Sequence, residues 1–417
     1  MENNNINLSF RTVFVNFSHL AFGEFYSKVF GFFTIIYLAR VLGAAGFGFY
    51  GFVSSVSTYF ILFSNFGIEQ YSSQRLASSN SLSTNNLIGT VIGARLLLSL
   101  FFICIFIGFG FFYSKNESEL YLFIFQSIFI IAFAFNLQFY FVAFKNTLIL
   151  ALLKTSIGAS IFFGSYFLIK SQSDLALVTL ISGTTTLFFF VWAVWFVFHK
   201  EKLKMRFSSL HGILSLLKNS APLGISALMI QIYYSADIVF LGFTNPGLEL
   251  GYYTGAYRII LLFTAIPGLF YLTFLPDLAK ITSNHFRMRS TRLYVGILIC
   301  FGFILTVASY IFAEEILVLI LSTAYLPAVG VFKILLMNVF MVFVNVAFGN
   351  LLIAWNQHKK YLVVVSFGAT ANILGNIFLI PQYGIYGAAV ATVFAEVVVL
   401  ICALWYHQKM HNLLKFR

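Results

Sequence analysis

Residues 87–112 read LIGTVIGARLLLSLFFICIFIGFGFF, an apolar run that carries a single charge, Arg95. A helix rises about 1.5 Å per residue, so roughly 20 such residues cross a hydrocarbon core of about 30 Å. The run is continuous rather than alternating with period two, and a backbone in lipid must satisfy its own hydrogen bonds, so it predicts a transmembrane helix and not a barrel strand. Comparable runs lie at 12–38, 47–67, 119–143, 148–169, 175–198, 213–241, 252–274, 292–312, 328–354, 360–380 and 384–406. The predicted fold class is an all-α polytopic membrane protein of about twelve transmembrane helices.

Composition agrees with that reading. The chain is 60% hydrophobic and 9% charged, with mean hydropathy +0.92, and a water-soluble fold could not cover so much apolar surface. Met1 to Phe10 is Asn-rich, and no small-residue cleavage site follows a short apolar core, so the first helix is expected to stay. Cys104, Cys300 and Cys402 stand far apart inside apolar stretches, which indicates packing residues rather than disulfides or metal ligands. The net charge of +12 is spread over short loops, the pattern of membrane topology and not of nucleic-acid binding.

With a cytoplasmic N-terminus, every second loop should carry the Lys/Arg excess. Those loops hold Arg75; Lys145 and Lys154; Lys200, Lys202, Lys204, Arg206 and Lys218; Lys280, Arg287, Arg289 and Arg292; Lys359 and Lys360; and the tail Lys409, Lys415 and Arg417. The opposite loops hold Arg40, Lys115 and Lys170 beside Glu117, Glu119, Asp174, Glu249, Glu314 and Glu315. Both termini are therefore expected inside, in the inner membrane.

The basic stretch 200–212 divides the sequence into an N-lobe, 1–199, and a C-lobe with tail, 213–417, of six helices each. Short echoes connect the halves. Leu42-Gly43 and Gly48-Phe49-Tyr50-Gly51 match Leu241-Gly242 and Gly251-Tyr252-Tyr253-Thr254-Gly255, while Ser156-Ile157-Gly158-Ala159-Ser160 matches Ser366-Phe367-Gly368-Ala369-Thr370. Two six-helix repeats of one orientation predict a two-lobed transporter with a central cavity.

Three stretches carry a family resemblance. They are Leu38-Ala39-Arg40-Val41-Leu42-Gly43 with Gly48-Phe49-Tyr50; Pro222 with Asp237-Ile238-Val239-Phe240-Leu241-Gly242, Glu249-Leu250-Gly251-Tyr252-Tyr253 and Ala256-Tyr257-Arg258; and Leu379-Ile380-Pro381-Gln382-Tyr383-Gly384-Ile385-Tyr386-Gly387-Ala388-Ala389. The chain resembles the Wzx-type O-antigen and polysaccharide flippases, in the MOP superfamily with MATE exporters and peptidoglycan-precursor flippases. The resemblance implies a MATE-like fold and transfer of undecaprenyl-pyrophosphate-linked oligosaccharide from the cytoplasmic to the periplasmic leaflet. It also implies membrane lipids and other polysaccharide-assembly proteins as partners. Where many relatives carry a Pro- or Glu-rich loop after Leu-Gly, this chain has Ala44-Ala45, so that loop names no sugar.

Moving a pyrophosphate sugar requires a substitute for its hydration shell, and cations inside the bundle can provide one. The expected substrate-binding residues are Lys28, Arg95, Arg258 and Lys333, with Glu24, Asp237 and Glu396 for ion coupling or charge balance. All but Arg95 have a plainer alternative. Glu24 and Lys28, at i and i+4, could simply neutralise each other. Asp237 could cap the loop after its helix, Arg258 and Lys333 could snorkel, and Glu396 could be a packed neutral acid. Lys145 and Lys154 are expected to set topology. Tyr233, Tyr234, Tyr252, Tyr253 and Tyr257 are expected in an interfacial belt. Arg95→Ala or Arg258→Ala is expected to lower surface polysaccharide at unchanged protein level.

No cofactor is indicated. No Gly-x-x-x-x-Gly-Lys-Ser/Thr loop occurs, so a proton or sodium gradient, or consumption of product, is expected to drive transport. Gly46-x-Gly48-x-x-Gly51 follows an apolar helix instead of a strand and is set aside as a nucleotide motif. His407 and His411 lack a third ligand and fit a solvated tail; His19 fits a packed or cavity-lining imidazole. Two other functions compete. A polysaccharide polymerase or glycosyltransferase would need acids in a large external loop, and a MATE-like exporter of cations would need acids in excess in its cavity.

Overall fold

The computed structural model describes residues 10–77, 81–200, 209–279 and 284–415. In chain order the helices are α1 (Phe10–Asn65), α2 (Ile68–Ala77), α3 (Ser81–Tyr113), α4 (Glu117–Ala132), α5 (Gln138–Ala143), α6 (Thr147–Leu168) and α7 (Leu175–Lys200). They continue as α8 (Leu210–Thr244), α9 (Leu248–Ala279), α10 (Asn284–Ile311), α11 (Ala313–Ile320), α12 (Val329–Ala354) and α13 (His358–Lys415). Among the described residues no strand occurs. Lys202, Lys204 and Arg206 of the expected linker, and the side chains of Lys280, Arg287, Arg289, His411, Lys415 and Arg417, lie outside the described set.

Ten helical segments are long and apolar enough to cross a membrane among the described residues. Two are double. Ser18–Asn65 and His358–Lys409 are each about twice the length that a bilayer core needs. Each is broken by a glycine outside helical geometry: Gly43 at φ 67°, ψ 174° and Gly384 at φ 53°, ψ −130°. Ordinary L-residues avoid those dihedrals, so glycine lets the chain turn there without a loop. Counting the arms separately gives twelve crossings in a multi-pass, all-helical membrane protein. The sequence places loops at 39–46 and 381–383; in the structure helix runs up to each glycine and resumes directly after it.

Large side chains left uncovered by protein confirm the bilayer as solvent. Phe101, Phe111, Phe188, Leu319 and Phe378 are all more than half exposed, and hydrocarbon is what covers such surfaces on a transmembrane helix. The three cysteines are free. Cys104 and Cys300 are exposed rather than packed, whereas Cys402 is half-buried.

The chain packs into two compact units. The first comprises Met1–Leu42 and Val56–Ala227, the second Gly43–Ser55 and Leu228–Arg417. They differ from the sequence halves in two stretches: 43–55 packs with the second unit, and 213–227 with the first. The reason for the former is close backbone approach. A Cβ on Gly251 would lie 1.9 Å from the Ala44 carbonyl oxygen, and one on Gly48 would lie 2.4 Å from the Gly251 nitrogen. The two echoed glycine stretches are therefore in contact, and any larger residue would separate α1 from α9.

In the first unit Ile88, Val91 and Ile92 of α3 pack with Phe139 and Phe141 of α5, Leu150 and Leu153 of α6, and Val197 of α7. In the second, α12 is the central helix, against α9, α10 and α13. Its Phe332, Leu335, Leu336, Phe343 and Leu352 are buried.

Candidate functional site

The first unit holds two charged groups of different character. Arg95 of α3 is 2% exposed. Its Nη1 donates to the Asn136 carbonyl at 2.7 Å, its Nη2 donates to Asn65 Oδ1 at 2.6 Å, and Glu69 lies 3.6 Å away. The Phe139 ring covers the guanidinium at 5.5 Å. One arginine thus ties the end of α1, α2, α3 and the turn before α5, and a planar fork suits that task. Expected as a cargo ligand, Arg95 has its fork turned into the protein.

Lys28 and Glu24 of α1 form the expected i, i+4 pair at 3.7 Å. Lys154 of α6 joins them, its Nζ donating to Glu24 Oε2 at 2.8 Å. Sequence reading assigned Lys154 to topology because it follows a basic loop. The structure places it seven residues inside α6, about 10 Å along its axis, so it reaches α1. The three side chains are 59%, 49% and 32% exposed for Lys28, Glu24 and Lys154. Two cations on one carboxylate leave the group net positive within two segments apolar enough to span a membrane, where contact with acyl chains would be costly.

The second unit is built the other way. Asp237 of α8 is buried; Tyr253 of α9 donates to its Oδ2, and Thr392 of α13 donates to the same oxygen at 3.3 Å. Oδ1 is buried without a partner. Glu396, one turn beyond Thr392, is also buried. It accepts from the Tyr233 hydroxyl, and Asn345 of α12 donates both to its side chain and, at 2.9 Å, to its backbone carbonyl. Among the described residues no cation stands at ion-pair distance from either acid. Arg258 and Lys333, expected beside these acids as substrate-binding cations, therefore form no ion pair with Asp237 or Glu396.

Arg258 of α9 is half-buried. Lys333 lies over the Tyr310 ring at 5.1 Å, only about 6 Å along α12 from its start. The tyrosine belt is corrected in part. Tyr253 and Tyr257 are buried and stack on each other at 5.8 Å, while Tyr234 is exposed. The hydroxyls of Tyr253 and Tyr233 have acids to bind, which a belt has not.

His19 sits 3.3 Å from Thr147, and His407 bonds the Phe348 carbonyl at 2.8 Å beside Trp355, so His407 is a packing residue and not a solvated one. Among the described residues no group of His, Cys, Asp and Glu could hold a metal in the usual cluster of three.

The polysaccharide biosynthesis protein family model matches residues 13–282, more than half of the chain. An uncharacterized membrane protein of Methanocaldococcus jannaschii is 31% identical over 100 residues, 24% of this chain and 20% of that protein, so the chain matches a fifth of that relative's length. Among solved structures, the lipid II flippase MurJ in an inward closed conformation superposes with TM-score 0.74 at 15% identity, over 93% of this chain and 87% of that one. An inward-facing multidrug resistance MATE transporter of the MOP superfamily gives 0.66 at 14% identity, over 93% and 96%. A MOP superfamily transporter from Pyrococcus furiosus gives 0.58 at 14% identity, over 96% of each chain. At these identities the structures establish that this chain shares their fold. The match over 13–282 adds the lineage: the chain belongs to the polysaccharide biosynthesis protein family.

Proposed function

We propose that the protein is a flippase that carries undecaprenyl-pyrophosphate-linked oligosaccharide, an O-antigen or related surface-polysaccharide repeat unit, from the cytoplasmic to the periplasmic leaflet by alternating access. The observation that carries this reading is the net positive group Lys28–Glu24–Lys154, set in the apolar body of a polysaccharide biosynthesis family member. A pyrophosphate leaving water needs charge-assisted donors, and two ammonium groups supply them.

Lys28, Lys154 and Arg258 are the cargo cations in this reading. Arg95 supports the fold, and Lys333 anchors α12 at the interface. Asp237 and Glu396 serve the coupling ion. A buried carboxylate oxygen without a donor is costly, and a sodium ion or proton arriving at Asp237 Oδ1 relieves that cost. The membrane is the bacterial inner membrane, with both termini cytoplasmic.

The test is complementation of a bacterial strain lacking its own polysaccharide flippase. Wild-type protein restores surface polysaccharide, and Arg258→Ala lowers it at unchanged protein level. Intracellular pile-up of lipid-linked oligosaccharide despite full expression contradicts the proposal. The two buried acids also suit a MATE-like exporter of cations. Protection of a drug-sensitive strain, with no polysaccharide restored, would favour that function.

A further inference from the structure

Glu24 and Lys154 line a cavity of about 230 Å³ inside the first unit, together with Ser27, Asn136 and Gln138. Leu153, the residue before Lys154, forms part of its wall and also part of the wall of a second space. That space is an apolar groove of about 350 Å³ between α6 and α7, lined by Leu152, Ser156, Phe188 and Trp192 among others. Leu152 and Phe188 are more than half exposed, so the groove opens toward hydrocarbon. Leu153 is thus common to a pocket that carries Glu24 and Lys154 and to an apolar groove, a neighbourhood that matches a phosphate head on a single hydrocarbon chain.

The geometry of Glu24 adds a second element. Its two carboxylate oxygens are divided between two ammonium groups, Oε2 at 2.8 Å from Lys154 and Oε1 at 3.7 Å from Lys28. Two oxygens of a phosphate meet two lysines in the same way. Glu24 thus stands where the head of an anionic lipid would bind, neutralising part of the lysine charge while the pocket is empty.

We infer that the first unit by itself binds the polyprenyl phosphate end of the cargo. The phosphate displaces Glu24 from Lys28 and Lys154, and the first isoprene units lie in the α6–α7 groove past Leu153. Glu24 is a positioning and release residue: as an internal competitor it weakens binding enough for the lipid to leave. The inference rests on the flippase reading and adds to it the place of the lipid end and the function of Glu24.

The experiment is native mass spectrometry of the full-length protein in detergent, titrated with undecaprenyl phosphate, with dioleoyl phosphatidylglycerol and inorganic pyrophosphate as competitors. Lys154→Gln should weaken undecaprenyl phosphate binding about tenfold, and Lys154→Arg should restore most of it. Glu24→Gln should tighten it several-fold and slow dissociation, which a purely structural ion pair would not do. Ser156→Phe, which fills the groove, should weaken the polyprenyl lipid while leaving displacement by pyrophosphate unchanged. Circular dichroism and a monodisperse elution profile establish that each variant is folded. Equal displacement by phosphatidylglycerol would overturn the inference in favour of a general lipid contact, as would binding that none of the variants changes. If binding is indifferent to these substitutions while complementation succeeds, this inference alone falls; if the protein neither binds the lipid nor complements, the flippase reading falls as well.

Discussion

The two units handle charge in opposite ways. In the first, every intramembrane charge described above meets an opposite charge: Arg95 meets Glu69, and Lys28 and Lys154 share Glu24. In the second, Asp237 and Glu396 are buried on phenol, hydroxyl and amide donors without a cation. Surplus positive charge beside a carboxylate suits exchange of one anion for another. A carboxylate held by neutral donors, with one oxygen still unpartnered, suits capture and release of a cation. Under the proposed function, this contrast places the Lys28–Lys154 cargo cations in the first unit and the coupling acids in the second, where Arg258 is the one cargo cation, and it can be broken at either end.

The largest effect is expected at Arg95. Arg95→Leu removes one side of a buried charged network and strands Glu69 and the Asn136 carbonyl, a loss of about 3–5 kcal/mol. Folded yield and melting temperature in detergent should fall steeply, and Arg95→Lys should not rescue them because it lacks the planar fork. The outcome expected from sequence, lost polysaccharide at normal protein level, would return Arg95 to the cargo site.

Next comes Asp237→Asn. Removing this carboxylate charge should abolish the dependence of transport on a sodium or proton gradient, read as at least a tenfold loss of gradient-stimulated rate. A variant still fully stimulated would take the coupling role away from the second unit. Gly43→Ala should cost about 1–3 kcal/mol, because φ 67° with ψ 174° is reserved for glycine. Nothing lies within 4 Å of the added methyl, so a stability loss there isolates backbone strain from crowding. Lys333→Gln should have the smallest effect, within about 1 kcal/mol, the scale of a cation–π contact that is not fully desolvated, since Lys333 is only half-buried. A strong transport defect in that variant would place Lys333 among the cargo cations.

The spans were legible because the hydropathy of a lipid-facing helix needs no partner to be recognised, as 87–112 illustrates. The tight bends were less so. A glycine with positive φ replaces a loop, so Gly43 and Gly384 look like ordinary residues in a Gly-rich stretch. For the site, sequence isolates rare charges inside apolar runs but not what they touch. Asn65 and Asn136 reach Arg95 from other elements, and Thr392 reaches Asp237 from 155 positions away. Lys154 was hidden by its nearness to a basic loop. Tyr253 was hidden by the habit of tyrosines to collect at interfaces, a habit that pattern cannot tell from a phenol bonded to a buried acid.

The most direct measurement is translocation in proteoliposomes, following the fraction of lipid-linked oligosaccharide that becomes accessible to a membrane-impermeant lectin. Wild-type protein should expose the sugar well above the rate of protein-free vesicles. Lys28→Gln with Lys154→Gln should slow that exposure at least tenfold while a sodium or proton gradient still stimulates what remains. Exposure no faster than in empty vesicles, or a rate that ignores the loss of both lysines, would contradict the assignment of cargo to the first unit.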